Sequence, residues 1–580
     1  MRVVSELKTD LQGSVRLSPL LERQWGPLSS GVWLFLVMFT LLLYTFNLGG
    51  ARVLTKHELH IAGPVKQMVN GDGWLMPRVG DHLWVEKPPL PTWLAAISVM
   101  LLGGVSEVAV RLPSVLAGLG VVLIVAGLSA RWFGPTVGFL AGLIQASTVY
   151  MITYSRLAES DMVLALFVVG AIGAFVKLQS VPLTGDDRSR RILFGWQLFF
   201  WFLIGLTNWA KGVVFGTVLA LAPCLGWLAW RKDWTGLRKL WSPAGVLMAA
   251  VMAVAWRALT ILQDPAMVPY LMDNFFGRVT GRVMTPEPIW YYLTTWLWQV
   301  LPWTPLVLLG GGPSLKRAWQ QSESPDRFIW CWALVPLALL SVPSVKCHHY
   351  LIHALPALSP IMALGLVRCQ HWFAEKGERA KNVGQLSLWV IAPILFLGGV
   401  GAAWLLPRFR TDAFLLGSMA AIGISGVGLF LRRLMPARAF GVLLVTIVAA
   451  ELYVHGWVLP RRDPSAADRD FLSAVERMVP PKVRLLGCEQ LDVARYVFYI
   501  DRPMEGFWNC NDVGARLSHE HKETVFVIAR GRNEEQLLNL GKVTRVAQSE
   551  RTRRERSPED RYTLFRIDPR VAGRLSQRGR

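Results

Sequence analysis

Glu86-Lys87-Pro88-Pro89-Leu90-Pro91-Thr92-Trp93-Leu94-Ala95-Ala96-Ile97-Ser98-Val99-Met100-Leu101-Leu102-Gly103-Gly104 is the stretch on which the architecture of this 580-residue chain turns. Its apolar run, 92–104, is short for a bilayer, follows three prolines and ends in a glycine pair. Thirteen other runs have the roughly 17–25 apolar residues that a spanning helix needs. They are 31–49, 112–130, 135–154, 161–178, 193–209, 212–230, 243–262, 290–311, 328–344, 350–367, 387–406, 413–431 and 438–458. If 92–104 also crosses, there are fourteen spans and every later loop changes side. If it lies along the surface, there are thirteen.

Loop charge separates the two topologies. With the N-terminus inside and 92–104 on the surface, the inner loops collect basic clusters: Lys177, Arg188, Arg190 and Arg191; Arg231, Lys232, Arg238 and Lys239; Arg368, Lys376, Arg379 and Lys381. The short outer loops hold scattered cations, among them Arg156, Lys211 and Lys346. Cytoplasmic loops are the ones enriched in Lys and Arg, so the sequence predicts thirteen spans, a long outer loop over 50–111 and an extracytoplasmic C-terminus.

Composition agrees with a polytopic membrane protein: 53% hydrophobic residues, 17% charged, 26 Trp and a mean hydropathy of +0.36. The net charge of +21 is spread in short clusters between apolar runs and forms no single basic stripe. That favours membrane lipid and loop orientation as its explanation and excludes nucleic acid as the expected partner. The first run has no small-residue cleavage pattern after it and reads as a retained span. The expected division is a cytoplasmic tail (1–30), a membrane domain (31–458) and a soluble extracytoplasmic α/β domain (459–580). In the last, β-rich runs at 483–486, 524–529, 543–547 and 562–567 alternate with helix-like stretches at 466–478, 491–499 and 533–539. Of six cysteines, none in a CxxC pair, only Cys488 and Cys510 fall in this domain. An oxidising compartment would let them bridge; two buried thiols are the alternative.

With this topology, polar residues out of place in a membrane protein gather on the outer side: His57, Glu58, His60, Glu86 and Lys87 in the long loop, and Arg156, Glu159 and Asp161 in the next. Further on, Asp273, Asn274, Arg278 and Arg282 precede Lys346, His348, His349, Tyr350 and His353. A lysine beside an apolar run often only snorkels to the headgroups. Several cations with carboxylates beside them suit a sugar linked to a lipid phosphate: the cations hold the phosphate, and a carboxylate or imidazole activates an acceptor hydroxyl. Displacement at the anomeric carbon passes through an oxocarbenium-like state that carboxylates stabilise.

The residues 71–78 (GDGWLMPR), 86–94 (EKPPLPTWL) and 111–114 (RLPS), Arg156-Leu157 with Asp161-Met162, Arg278-Val279-Thr280-Gly281, 288–292 (PIWYY) and Ser344-Val345-Lys346 with Tyr350 and Leu355-Pro356 resemble one family. It is that of the membrane glycosyltransferases that use polyprenyl-phosphate sugars, the GT-C fold of the bacterial aminoarabinose transferases and protein O-mannosyltransferases. The motifs cover about the first 370 residues. The resemblance implies an α-helical polytopic GT-C fold of about thirteen transmembrane helices in a bacterial inner membrane, with the active site outside. It also implies inverting transfer of 4-amino-4-deoxy-L-arabinose, or a hexose such as mannose, from undecaprenyl-type phosphate to lipid A, a glycan or a protein.

The roles expected of the residues are donor-phosphate binding by Lys87, Arg278 and Lys346, positioning by Glu86, Tyr350 and His349, and acid/base work by His57, Glu58 and Asp161. The chain departs from the family at two places. His57-Glu58 stands where relatives carry Asp-Glu, leaving His57, Glu58 and Asp161 as rival bases, and Lys346-Cys347-His348-His349-Tyr350 replaces a Lys-Leu-Pro lead-in to the tyrosine. No cofactor is required by this chemistry, although the histidines could hold a divalent metal. A transporter or flippase of the same lipid-linked sugar is the rival class. It would be expected to carry internal repeats and mid-membrane charges, whereas here the ionisable cluster stays at one end of the spans.

Overall fold

The computed structural model describes residues 28–568 apart from 81, 184–185, 213, 270–271, 273–284, 464, 503, 508, 519–522, 539, 541 and 551–557. It is a helical membrane protein with a small C-terminal sheet. Among the described residues seven helices are long and apolar enough to cross a bilayer: Glu107–Phe133, Ser160–Gln179, Asp187–Lys211, Pro243–Gln263, Gly377–Leu405, Pro407–Arg432 and Pro436–Arg462. The pair Pro135–Ser147 and Val149–Ser155, bent by 63°, makes an eighth if it is one span. The other five expected runs also become helices, but shorter or broken ones. Ser30–Thr45, Phe215–Arg231, Pro325–Ser341 and Leu358–Glu375 have 16, 17, 17 and 18 residues, and the run 290–311 divides into Tyr291–Gln299 and Thr304–Gln320. The expected run at 350–367 is displaced because its first turns, His348–His353 and Leu355–Ala357, are 3₁₀.

The deciding stretch forms the helix Leu90–Leu102, with Pro91 in its first turn and Gly103 in the left-handed region (φ 76°) closing it. Thirteen residues rise about 20 Å, short of the roughly 30 Å hydrocarbon core. One face packs Ala95, Ala96 and Val99 into the core of the long loop. The other leaves Ile97, Met100, Leu101 and Leu102 exposed, as in a helix lying in the interface plane.

Buried arginines fix how the first helix ends. Arg156 donates to Leu43 O (2.9 Å), Tyr44 O (3.0 Å) and Phe46 O (2.7 Å), taking carbonyls that Ser30–Thr45 leaves without intrahelical partners. Arg111 donates to Leu48 O (2.7 Å) and Arg52 O (3.0 Å) and so anchors the chain as it enters the long loop.

Two short strands of the long loop, β1 Arg78–Val79 and β2 His82–Leu83, pair antiparallel, and the C-terminal sheet has the strand order β4-β3-β5-β7-β6, with β3 Leu485–Cys488, β4 Glu505–Phe507, β5 Val525–Arg530, β6 Lys542–Gln548 and β7 Tyr562–Asp568. β3 pairs parallel with β4 and β5, while β7 pairs antiparallel with β5 and β6. Four strands lie within about two residues of the expected β-rich runs. β4 and the helix Cys510–Ser518 were not expected, since three residues around Gly506 carry no readable alternation. Cys488 and Cys510 are bonded, with Cα atoms 5.1 Å apart.

The tail is no separate body. Leu54, Leu59, Ile61, Val65, Met68 and Trp84 of the long loop share one apolar core with Phe471, Leu472, Val493, Tyr496, Phe526 and Leu564. Polar ties reinforce it: the Tyr499 hydroxyl accepts from Leu54 N (3.1 Å) and donates to Glu107 (3.1 Å), and Lys66 pairs with Asp501 (2.9 Å). Loop and tail therefore lie on one side of the helices.

Candidate active site

Three segments meet at the ends of the helices that face this shared cap. The first is the short helix Lys56–Ala62, started by a reciprocal capping box between Thr55 and Glu58. The second is the first turn of Ser160–Gln179, which carries Asp161, together with Lys211 at the last residue of Asp187–Lys211. The third is the 3₁₀ segment His348–His353. They enclose a cavity of about 130 Å³ lined by His57, His60, Glu86, Lys87, Glu159, Asp161, Lys211, Cys347, His349 and Tyr350, with Ile61 and Ser160.

Six of the nine expected site residues line this space: His57, Glu86, Lys87, Asp161, His349 and Tyr350. Arg278 lies outside the described residues. The other two are engaged elsewhere. Lys346 is buried and donates to the carbonyls of Glu287 (2.8 Å) and Pro343 (2.7 Å).

Glu58 is fully buried behind the cavity. Its carboxylate accepts from Arg111 Nε (2.7 Å) and Nη2 (3.3 Å), Thr55 N (2.9 Å) and Ala158 N (3.0 Å). Burial alone would raise its pKa, but the Arg111 charge and these hydrogen bonds outweigh it and hold the carboxyl below its ordinary range. The expected acid/base role for Glu58 gives way to a structural one: this pair joins the long loop to Glu107–Phe133.

Around the cavity the groups are ordered by charge. Lys211 forms an ion pair with Asp161, and its ammonium lies 4.6 Å from the Tyr350 ring centroid and 5.5 Å from that of Phe215. His60 Nδ1 lies 3.0 Å from an oxygen of Glu86, the carboxylate that precedes Lys87. His349 packs edge-to-face on Tyr350, with centroids 4.9 Å apart. The helix Pro243–Gln263 braces the loop from outside, since Arg257 donates to Val85 O (3.1 Å) and Trp256 to Leu75 O (3.0 Å).

Proton affinities within the site are pushed apart. Burial, then the charges of His60 and Lys87, hold the His57 imidazole below its ordinary pKa, while Asp161 and Glu86 oppose them. Burial also pushes His349 down to about 3. Burial and the charge of Asp161 raise the Glu159 carboxyl above its ordinary range. A proton-poor imidazole and a proton-retaining carboxyl thus face one small space with two ammonium groups, an arrangement suited to accepting a proton and holding an anion. Among the described residues no three of His, Cys, Asp and Glu are gathered as a metal's ligands would be.

Lys211, Glu159, His60 and Cys347 line the cavity without being among the nine expected site residues; for Lys211 the sequence left a lipid-phosphate contact and simple snorkelling both open. For Lys211 a signal existed: Asp161 and Lys211 sit at same-side ends of consecutive antiparallel runs, 161–178 and 193–209.

Comparison with known proteins supports the fold. The family model described as dolichyl-phosphate-mannose-protein mannosyltransferase matches residues 86–256, a segment that includes Glu86, Lys87, Asp161 and Lys211. The undecaprenyl phosphate-alpha-4-amino-4-deoxy-L-arabinose arabinosyl transferase 2 of Proteus mirabilis is 27% identical over 376 residues, 63% of this chain and 64% of that protein. The match thus spans slightly under two thirds of that relative's length. A Pseudomonas fluorescens protein of the same name is 24% identical over 426 residues, 72% of each chain. The crystal structure of ArnT from Cupriavidus metallidurans bound to undecaprenyl phosphate superposes with a TM-score of 0.73 at 18% identity, covering 93% of this chain and 98% of that one. Its apo form gives 0.72 at 20% identity. By its motifs, its helical framework with a small C-terminal sheet and these likenesses, the chain is similar to the polyprenyl-phosphate-sugar glycosyltransferases and shares the fold of the ArnT structures.

Proposed function

We propose that this protein is a membrane glycosyltransferase that moves a sugar from a polyprenyl phosphate to a hydroxyl-bearing acceptor on the extracytoplasmic face of a bacterial inner membrane. The observation that carries the reading is the convergence of His57, Lys87, Asp161 and Lys211 on one polar cavity at the cap-side ends of the helices. Lys87 holds the donor phosphate, aligned by Glu86, which His60 orients. Arg278 is a further phosphate ligand expected from its motif. Lys211 ties Asp161 into place, leaving that carboxylate beside the developing positive centre at the anomeric carbon.

His57 accepts the acceptor's hydroxyl proton. The acceptor oxygen bonds to the anomeric carbon from the face opposite the phosphate, the carbon–oxygen bond to phosphate breaks with its electron pair, and polyprenyl phosphate leaves with inverted stereochemistry at the sugar. Tyr350 and His349 wall the pocket. The sugar is 4-amino-4-deoxy-L-arabinose or a hexose such as mannose, and the acceptor is lipid A, a glycan or a protein. The aminoarabinose transferases among the relatives favour the first sugar.

The test is purified protein in detergent with radiolabelled sugar–polyprenyl phosphate and each acceptor class. Release of polyprenyl phosphate together with a labelled acceptor is the expected result. Intact donor after incubation with all three classes, from protein that moves the donor across a vesicle membrane, would assign it to transport instead.

A further inference from the structure

A second cavity opens at the opposite end of the helices. It encloses about 970 Å³ between Ser30–Thr45, Glu107–Phe133, Ser160–Gln179 and Asp187–Lys211. From Asp161 to Lys177 is 16 residues along one helix, about 24 Å, so this groove and the candidate active site belong to different leaflets. Its floor is made by glycines: an added Cβ at Gly127 would meet Trp33 at 3.5 Å, at Gly170 Leu203 at 3.5 Å, and at Gly173 Ile124 at 3.5 Å. Lacking side chains, these positions leave a slot walled by Phe167, Trp196 and Phe199.

The slot runs from Lys177 inward to Leu166, about 16 Å along the helix, which is the scale of an acyl chain. At its mouth stand Arg131 and Lys177, both exposed, and no carboxylate is among its lining residues. Among the described residues Arg131 donates to Ser180 Oγ at 2.8 Å, a neutral partner. Trp33 and Trp132 sit at the same level, where the amphipathic ring of tryptophan favours the headgroup boundary.

We propose that this groove is a binding site for a diacyl phospholipid with an anionic headgroup, drawn from the leaflet opposite the candidate active site. The phosphate meets Arg131 and Lys177, and one acyl chain lies over Gly127, Gly170 and Gly173. Charge complementarity and the depth of the apolar slot select this occupant: a headgroup of net negative charge gains more from two cations than a zwitterionic one, whose own ammonium they repel. The inference stands independently of the transferase reading.

Native mass spectrometry of the full chain, delipidated and then titrated with phosphatidylglycerol or with phosphatidylcholine of the same acyl chains, tests it. Phosphatidylglycerol is expected to bind at least tenfold more tightly than phosphatidylcholine. The double variant Arg131→Gln/Lys177→Gln should remove that preference, and Gly170→Leu should abolish saturable binding of both lipids while leaving donor cleavage intact. Inorganic phosphate should not compete, because the chain supplies much of the affinity. Equal binding of the two lipids, or a preference that survives the double variant in protein of wild-type melting behaviour, overturns the proposal. So does saturable binding seen only after residues 1–27 are removed, since that would make the chain's own N-terminal segment the occupant.

Discussion

Replacing Glu58 by Gln separates a structural carboxylate from a catalytic one. In the folded protein its two oxygens accept from two Arg111 nitrogens and from the backbone N–H groups of Thr55 and Ala158. A carboxamide has one accepting oxygen, so its NH2 must face donors, and the Arg111 guanidinium stays buried without a counter-charge. Breaking a buried pair from one side costs about 3–5 kcal/mol. Glu58→Gln and Arg111→Met should each lower the melting temperature and speed amide exchange over 53–69. The double variant should recover much of both, because removing both charges removes the uncompensated one.

Acid should act in the same direction. A carboxyl whose folded pKa is depressed stabilises the fold fully above its unfolded value, about 4.3, and that contribution fades as pH falls through the lower folded value. The assay is thermal unfolding with hydrogen exchange, alongside donor turnover. Glu58→Gln protein with wild-type melting and exchange but no turnover, unrescued by Arg111→Met, would refute the structural assignment and return Glu58 to the chemistry.

Lys87→Ala should depress donor turnover by roughly 30- to 1,000-fold, about 2–4 kcal/mol for one charge-assisted contact that strengthens as the phosphate gains charge; turnover within about threefold of wild type, in protein of equal stability, would reduce Lys87 to an interfacial anchor. If His57 is the base, kcat/KM should rise with pH through a pKa below the ordinary imidazole value of about 6.5, since burial and neighbouring cations lower it. His57→Asp should move that limb into the carboxylate range and His57→Asn should flatten it, as a pH–rate profile of each would show. An alkaline phosphatase fused after Arg580 should be active, because the loop charges place that end outside; an inactive fusion, with a cytoplasmic reporter active at the same place, would invert the topology and the side of the site with it.

Periodicity and charge made the helical framework readable, because a bilayer imposes a length on each apolar run that the sequence must meet. What escaped was the breaking of 290–311 at Val300–Trp303 and the 3₁₀ start before Leu358. Both depend on packing against neighbours, which apolar composition does not encode. At the site, residue type identified His57, Glu86, Lys87, Asp161 and Tyr350 as cavity groups, but it gave no means of telling a carboxylate that faces the cavity from one that faces an arginine. Glu58 adjoins His57, and one step along a helix turns a side chain by about 100°, so the two neighbours point into different surroundings. The pairing of Lys211 escaped for the converse reason: its partner Asp161 is 50 residues away in sequence.

The core shared by the long loop and the tail sets a timetable for the nascent chain. Val53 donates to Asp463 across 410 residues, and at about 5–20 residues per second the ribosome needs roughly 20 to 80 seconds to make that partner. β7, which the sheet requires beside β5, emerges later still. Until then Leu54, Leu59, Val65 and Trp84 have no tail to pack against, and the segment bearing His57 and Lys87 lacks its support. The membrane helices can be inserted well before the cavity exists, so a chain cut short in its last hundred residues would be anchored without a finished cavity; on the proposed function, nothing half-made would consume lipid-linked sugar.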